Sequence, residues 1–243
     1  MLWSLLTTVL DALAPEACVF CGADRGDVPW FAATGSRAPG LRPWDSPHVC
    51  RPCFEIRGGG RLAGEVAGLP LWSPLAASAE LAAAVGAWKY RGIRGLGLPL
   101  GAWLAPLLTV VAADLADPVL VPVPLHRRRR RERGFDQVVQ LACLAGQAAG
   151  LPIRTDVLER RRATRQQASC ATEGPARRAN VSGVFACRTP RRPQDGCLIL
   201  LDDLATTGAT LAAAAAVLAD AGWTVAACAA LGQARRLGPG AGA

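Results

Sequence analysis

Towards the end of the chain, Leu198-Ile199-Leu200-Leu201 runs into Asp202-Asp203, followed by Leu204-Ala205-Thr206-Thr207-Gly208-Ala209-Thr210. Each part of this stretch has its own chemistry. The four apolar residues have the pattern of a buried parallel strand. Thr206, Thr207, Gly208 and Thr210, with Ala205 and Ala209 beside them, make a small hydroxyl-rich loop that opens a helix at about Leu211. A helix start offers unpaired backbone N–H groups and a partial positive charge, both suited to a phosphate. Gly208 lets the backbone approach an anion with no Cβ in the way, and the threonine hydroxyls add donors. The two carboxylates sit at the strand end, where ligands bind in open α/β sheets, and can accept hydrogen bonds from neighbouring ribose hydroxyls. An acidic turn with an ordinary helix cap is the plain alternative. An adjacent Asp pair followed by Thr-Thr-Gly-x-Thr is more than capping needs.

Two further groups of residues carry chemistry. Cys18-x-x-Cys21 and Cys50-x-x-Cys53 are separated by the 28 residues 22–49. Each pair can point two thiolates at one metal, and two pairs complete a tetrahedral zinc site. That zinc would be structural, holding a segment too small to build its own core. Reduced turns without metal are the alternative. A redox role is weaker, because neither pair sits at a strand-to-helix start. His48 is either a spare ligand or a neighbour.

The second group starts at Val121-Pro122-Val123-Pro124-Leu125-His126 and continues through the arginines of 127–131 to Glu132 and Arg133-Gly134-Phe135. It places an electropositive turn between a strand end and a helix start, the expected place for a pyrophosphate held by Val123, Pro124 and Arg133. For residues 127–131 a solvated face or a nonspecific nucleic-acid patch serves equally well. Lys89 and Arg91 are either phosphate or substrate contacts or a basic last turn that complements a helix dipole.

The elements that must position these residues alternate along the chain. Helical patterns cover 78–88, 96–112, 135–149 and 211–221. Strand patterns cover 69–74, 119–123, 157–159, 184–187, 197–201 and 224–231. Strands alternating with helices predict an α/β body with a mostly parallel sheet. Pro106 is expected to kink the second helix. Residues 160–180 are polar and basic without clear period, so they read as a long loop, with Arg165 and Gln167 as lid candidates. The division is an amphipathic helix plus four-cysteine module at 1–60, the main domain at 61–237, and a disordered tail at 238–243.

Composition bounds the classes. The 243 residues are 51% hydrophobic and 19% charged, which describes a folded protein and excludes a disordered one. The net charge is +8, and Lys89 is the only lysine, so the cations are arginine forks suited to phosphate oxygens. No uninterrupted apolar run is long enough to cross a membrane, and the opening segment makes a poor secretory signal, so no membrane insertion is expected. Nine cysteines with two tight pairs favour metal binding in a reducing cytosol over a disulfide framework.

The turn at 202–210 resembles the phosphoribosyl-pyrophosphate (PRPP) loop of type I phosphoribosyltransferases. A narrower resemblance rests on several motifs in order: the four cysteines, Lys89-Tyr90-Arg91-Gly92, Val121-Pro122-Val123-Pro124, Arg133-Gly134-Phe135-Asp136-Gln137, Gln166-Gln167, Arg178-x-Asn180-Val181 and the Asp-Asp-x-x-Thr-Thr-Gly loop. From Cys18 to Leu231 the chain is similar to the ComF family (ComFC-like) of phosphoribosyltransferase-related proteins. That resemblance implies a double-zinc-ribbon-like module on a type I phosphoribosyltransferase fold. It implies PRPP and magnesium as ligands and, in some members, a link to DNA uptake. Two departures stand out. Asp136 occupies a position where the family often has Asn, an extra negative charge expected to weaken pyrophosphate binding unless it points toward an arginine. Ala168-Ser169-Cys170 follows Gln167 where the family tends to place a hydrophobic residue.

The functions expected are then three: a transferase moving phosphoribose to an unidentified nucleophile, an accessory protein that binds single-stranded DNA, or a PRPP-sensing regulator without turnover. In the first, Asp202 and Asp203 serve the ribose hydroxyls, residues 205–210 the 5′-phosphate, and Arg133 the pyrophosphate. The low aromatic content, 5%, counts against a dedicated base-stacking surface. The acceptor and the oligomeric state are not legible.

Overall fold

The structure, a computed structural model, describes residues 17–23, 48–50, 52–54, 61–76, 78–162, 183–192 and 195–233. The proposed N-terminal helix, the lid candidates Arg165 and Gln167, and the C-terminal tail lie outside the described residues.

The body is a mixed α/β fold around a six-stranded, mostly parallel sheet. Strand β1 (Arg61–Val66) pairs antiparallel with β2 (Leu69–Ser73). The remaining pairings are parallel: β2 with β8 (Val225–Gln233), β8 with β7 (Leu198–Ala205), and β7 with β4 (Val119–Pro122). The short β3 (Leu75–Ala76) also lies along β8. A separate two-stranded sheet joins β5 (Leu158–Arg160) to β6 (Phe185–Cys187). The order β1-β2-β8-β7-β4 puts β7 between two parallel neighbours, as its unbroken apolar run requires.

Alternation along β7 and β8 builds two cores. Ile199, Leu201, Ala227, Ala229 and Leu231 face helices α1 (Ala79–Tyr90), α2 (Gly97–Ala112) and α4 (Gln137–Ala149). Leu198, Leu200, Cys228 and Ala230 face helix α5 (Ala209–Asp220) and the small β5–β6 sheet. Local chemistry sets the helix starts. Ser78 caps α1 by accepting from the Leu81 N–H at 3.2 Å. Pro99 sits in the first turn of α2, where its missing N–H costs nothing, and Pro106 lies inside the same helix. The 19-residue stretch Arg94–Ala112 is the one described helix long and apolar enough to cross a membrane. Here it is a core element, with Leu100, Leu104 and Leu108 fully buried.

Two differences from the sequence reading bear on the site. The strand expected over 197–201 continues through both aspartates to Ala205, because Asp202, Leu204 and Ala205 pair with Ala230, Gly232 and Gln233 of the equally long β8. The arginine run is a seven-residue helix, α3 (Arg127–Arg133), not a turn. His126 caps its start through Nδ1, Arg128 pairs with Glu132 one turn on at 2.8 Å, and Gly134 ends it in the left-handed conformation with φ 72°.

Candidate functional site

The four cysteines come together. Their sulfurs all lie within 4.8 Å of one another, and Cys21 Sγ is 3.7 Å from Cys50 Sγ. Sulfurs at ~2.3 Å from a tetrahedral zinc are ~3.8 Å apart along each edge, so the group can hold a structural metal such as zinc. Two tight turns present the thiols. Gly22, with φ 69°, donates its N–H to the Cys18 carbonyl at 2.9 Å, and the Cys50 N–H points at Cys18 Sγ at 3.4 Å. Burial pushes Cys50 and Cys53 up as acids, the latter strongly, with the neighbouring thiols adding to it. Burial also acts on Cys18, but N–H donors from Cys50, Cys21 and Phe20 outweigh it and hold that thiol below its ordinary value. Four thiolates this close ionise together only around a cation. His48 is buried beside them but outside the ligand group; its carbonyl accepts the Val19 N–H at 3.1 Å and ties the two turns together.

The cysteine module is seated on α2. The Trp103 ring stacks on Phe54 with centroids 5.2 Å apart and meets Phe20 edge-on at 5.3 Å. Its indole N–H donates to the Phe54 carbonyl at 2.9 Å. Phe20 and Phe54 each neighbour a ligand cysteine, so this contact links the metal group to the main core.

On β7, strand alternation sends the two aspartates to opposite faces of the sheet. Asp203 points into the α1–α4 side and is buried, 6% exposed. Its Oδ1 accepts from Lys89 Nζ at 2.7 Å and from the Leu204 N–H at 2.7 Å, and its Oδ2 accepts from Gln137 Nε2 at 2.9 Å. Burial pushes Asp203 up, but the Lys89 charge and these hydrogen bonds hold it below its ordinary value. Asp202 lies on the face shared with α5 and is partly exposed. Its one hydrogen bond within the described residues is from the Asp203 N–H at 2.8 Å. Burial and the adjacent Asp203 charge push it up to about 7, against the weaker pull of that N–H, Lys89 and Arg160. Lys89 therefore neither swings in solvent nor merely complements a dipole. Arg91 is exposed at the end of α1, where its N–H closes the helix on the Ala87 carbonyl.

The turn at 205–210 connects β7 to α5, two residues earlier than the sequence suggested. Ala205 is buried and ends the strand. Thr206, Thr207 and Ala209 are exposed, and Thr210 is partly so. Gly208 is required twice: its φ is 73°, and a Cβ there would lie 2.6 Å from Val66 Cγ2. Among the described residues, the one hydrogen bond to a turn amide is that of the Ala209 N–H to Thr207 Oγ1 at 3.3 Å. The Thr210 and Leu211 amides belong to the first helical turn, which has no intrahelical acceptors for them.

The stretch 123–125 supplies no backbone donor. The Val123 N–H is spent on the Leu201 carbonyl at 2.8 Å, Pro124 has none, and the Leu125 N–H goes to Asp136 Oδ2 at 3.1 Å. Asp136, whose charge seemed a hazard to an anion, has a structural task. Its Oδ1 caps α4 by accepting from Val138 and Val139, while Oδ2 holds the strand end. Arg133 survives as an anion-facing candidate. Its guanidinium lies 4.8 Å from the Tyr90 ring centroid, and its Nη1 is buried with no hydrogen-bond partner among the described residues. Arg94 braces the adjoining turn, donating to the Gly134 carbonyl at 3.1 Å and lying over Phe135 at 4.9 Å.

Gln137, Tyr90 and Arg94 were not singled out from the sequence as site residues. For Tyr90 and Gln137 the available signal was their nearness along the chain to Lys89 and Arg133, since Lys89-Tyr90 and Arg133-to-Gln137 each carry several of these contacts; Arg94 offered no such signal. Arg165 and Gln167 lie outside the described residues.

Fold and site together define a mixed α/β protein with a mostly parallel sheet and a four-cysteine cluster compatible with a small zinc-ribbon module. No protein-family model matches the chain, and no curated protein matches it either.

Proposed function

We propose that this chain is a PRPP-binding, phosphoribosyltransferase-like protein of the ComF type, which binds phosphoribose or transfers it to an acceptor. The observation that carries the reading is the turn at 206–210. It lies at the C-terminal end of a central parallel strand, opens a helix, and needs glycine at Gly208. Its amides and threonine hydroxyls would receive the 5′-phosphate, and Asp202 would accept from the ribose. Arg133 would receive the pyrophosphate, with magnesium arriving on the substrate and keeping several waters. Displacing pyrophosphate from C1 passes through an oxocarbenium-like state. The chain's task is therefore to fix the three groups in place and stabilise charge on the leaving group.

Calorimetric titration of the full chain with Mg-PRPP tests this. Saturable binding that is lost in Thr207→Val with Thr210→Val supports the reading, and no binding by the parent chain ends it. Pyrophosphate release with a library of nucleophiles then separates transferase from sensor. One observation favours a second reading: Arg127, Arg128, Arg130 and Arg131 of α3 are all exposed, as suits contact with the backbone of single-stranded DNA. Affinity for an oligonucleotide that falls steeply with salt would support it.

A further inference from the structure

Next to the Lys89–Asp203 pair opens a cleft of about 200 Å³, lined among the described residues by Lys89, Tyr90, Arg129, Glu132 and Arg133. Three of the five are cations. The single carboxylate, Glu132, is bonded to Arg128 Nε at 2.8 Å and so adds little repulsion. Arg133 is braced on the Tyr90 ring, yet its Nη1 is buried without an acceptor among the described residues. A guanidinium donor withheld from water and given no partner is costly. Lys89 lies with its ammonium mostly buried, 16% exposed at the side chain, against Asp203 at 2.7 Å. An ammonium has three donors, and Asp203 takes one of them. Asp203 itself has little left to offer a ligand. Its Oδ1 already accepts two hydrogen bonds and its Oδ2 accepts the Gln137 amide.

We propose that the two aspartates have different jobs: Asp203 is a positioning residue that fixes the Lys89 ammonium beside Arg133, and the cleft between them binds a compact oxyanion of two or more charges. Asp202, on the opposite face of the strand, is the carboxylate that remains for a sugar. This deepens the PRPP reading and rests on it only for the identity of the natural ligand. The cleft itself is argued from Lys89, Arg133, Tyr90 and Asp203.

The experiment titrates the full-length chain with inorganic pyrophosphate by calorimetry and, separately, with Mg-PRPP. Arg133→Gln, at the half-buried last residue of α3, is expected to weaken pyrophosphate binding roughly tenfold or more, the worth of one charge-assisted hydrogen bond. Asp203→Ala is the sharper probe. Coulomb's law alone has removal of a nearby carboxylate tighten anion binding. Lost positioning of Lys89 weakens it, by roughly fivefold. A chain that does not fold with Asp203→Ala is replaced by Lys89→Gln with Asp203→Asn, which leaves a neutral buried pair and removes the ammonium. That variant is expected to lose about tenfold. Asp202→Asn is expected to bind pyrophosphate as well as the parent or better.

The inference is overturned if the parent does not bind pyrophosphate, if Arg133→Gln binds it as the parent does, or if Asp203→Ala binds it equally or more tightly. Pyrophosphate held through these residues by a chain that ignores Mg-PRPP keeps the inference and removes the PRPP reading. PRPP binding with pyrophosphate affinity indifferent to both variants does the reverse.

Discussion

Replacing Lys89 with methionine isolates the contribution of the Lys89–Asp203 ion pair. Methionine keeps the length and apolar stem of the side chain and removes the charge. Asp203 is left 6% exposed with Gln137 and the Leu204 N–H as its remaining partners. Breaking a buried pair by removing one member costs about 3–5 kcal/mol. The two surviving hydrogen bonds argue for the lower end, about 3 kcal/mol. In a chain of this size that lowers Tm by roughly 6–12 °C.

The sign of the pH dependence follows from Asp203. In the parent its folded value lies below the ordinary carboxylate value. Its contribution is therefore present above the unfolded value and lost as pH falls through the folded one. Without Lys89, burial dominates and the folded value moves above the unfolded one. The penalty is then complete above the raised folded value and shrinks as Asp203 takes a proton, while pH falls from that value towards the unfolded one. Urea unfolding of parent and variant at pH 8 and pH 5 reads both quantities, and adding Asp203→Asn should recover most of the loss at pH 8. A difference under about 1 kcal/mol at pH 8, typical of an exposed pair, would refute the reasoning. So would a penalty equal at both pH values.

Asp202, pushed up to about 7 by burial and by Asp203, contributes stability that is present below the unfolded value and lost as pH rises through about 7. Asp202→Asn should therefore stabilise the chain at pH 8 by about 1–2 kcal/mol, discounted for partial exposure, and change little at pH 4 in urea unfolding. Gly208→Ala meets both a positive φ and Val66 Cγ2, and should cost about 1–3 kcal/mol in thermal melts. Val66→Ala in the same chain should return only the steric part. Metal analysis should find one zinc per four-cysteine group, and a strong chelator should lower Tm. The near-UV dichroism should change with it as Trp103 loses its stack on Phe54, a change that Trp103→Phe should largely abolish.

Much of this was legible because it is local. The Cys-x-x-Cys spacing places two thiols on one turn, and the four apolar residues before Asp202 mark a strand buried on both faces. Ser78 before α1 and Gly150, which ends α4 in the left-handed conformation with φ 71°, mark helix ends, so most element boundaries agree to within about two residues. The arginine helix α3 was missed because like charges in a row suggest repulsion. A His cap, a Glu one turn from Arg128 and a left-handed Gly134 are enough to wind it. Asp136 read as an unwanted charge because its three N–H partners come from both sides of a turn whose path the sequence does not specify.

The sequence alone determined the alternation of strands and helices, the four sulfur ligands, and the hydroxyl-rich turn with its glycine. These rest on periods and spacings within a few residues. Tertiary structure alone decided that neighbouring aspartates part company. β8 is long enough to carry β7 past the apolar run, so the strand's two-residue period turns Asp203 inward to Lys89 and Gln137 and leaves Asp202 on the other face. Nothing local to Asp202-Asp203 encodes that, because it depends on where a partner strand ends and which helices lie above it.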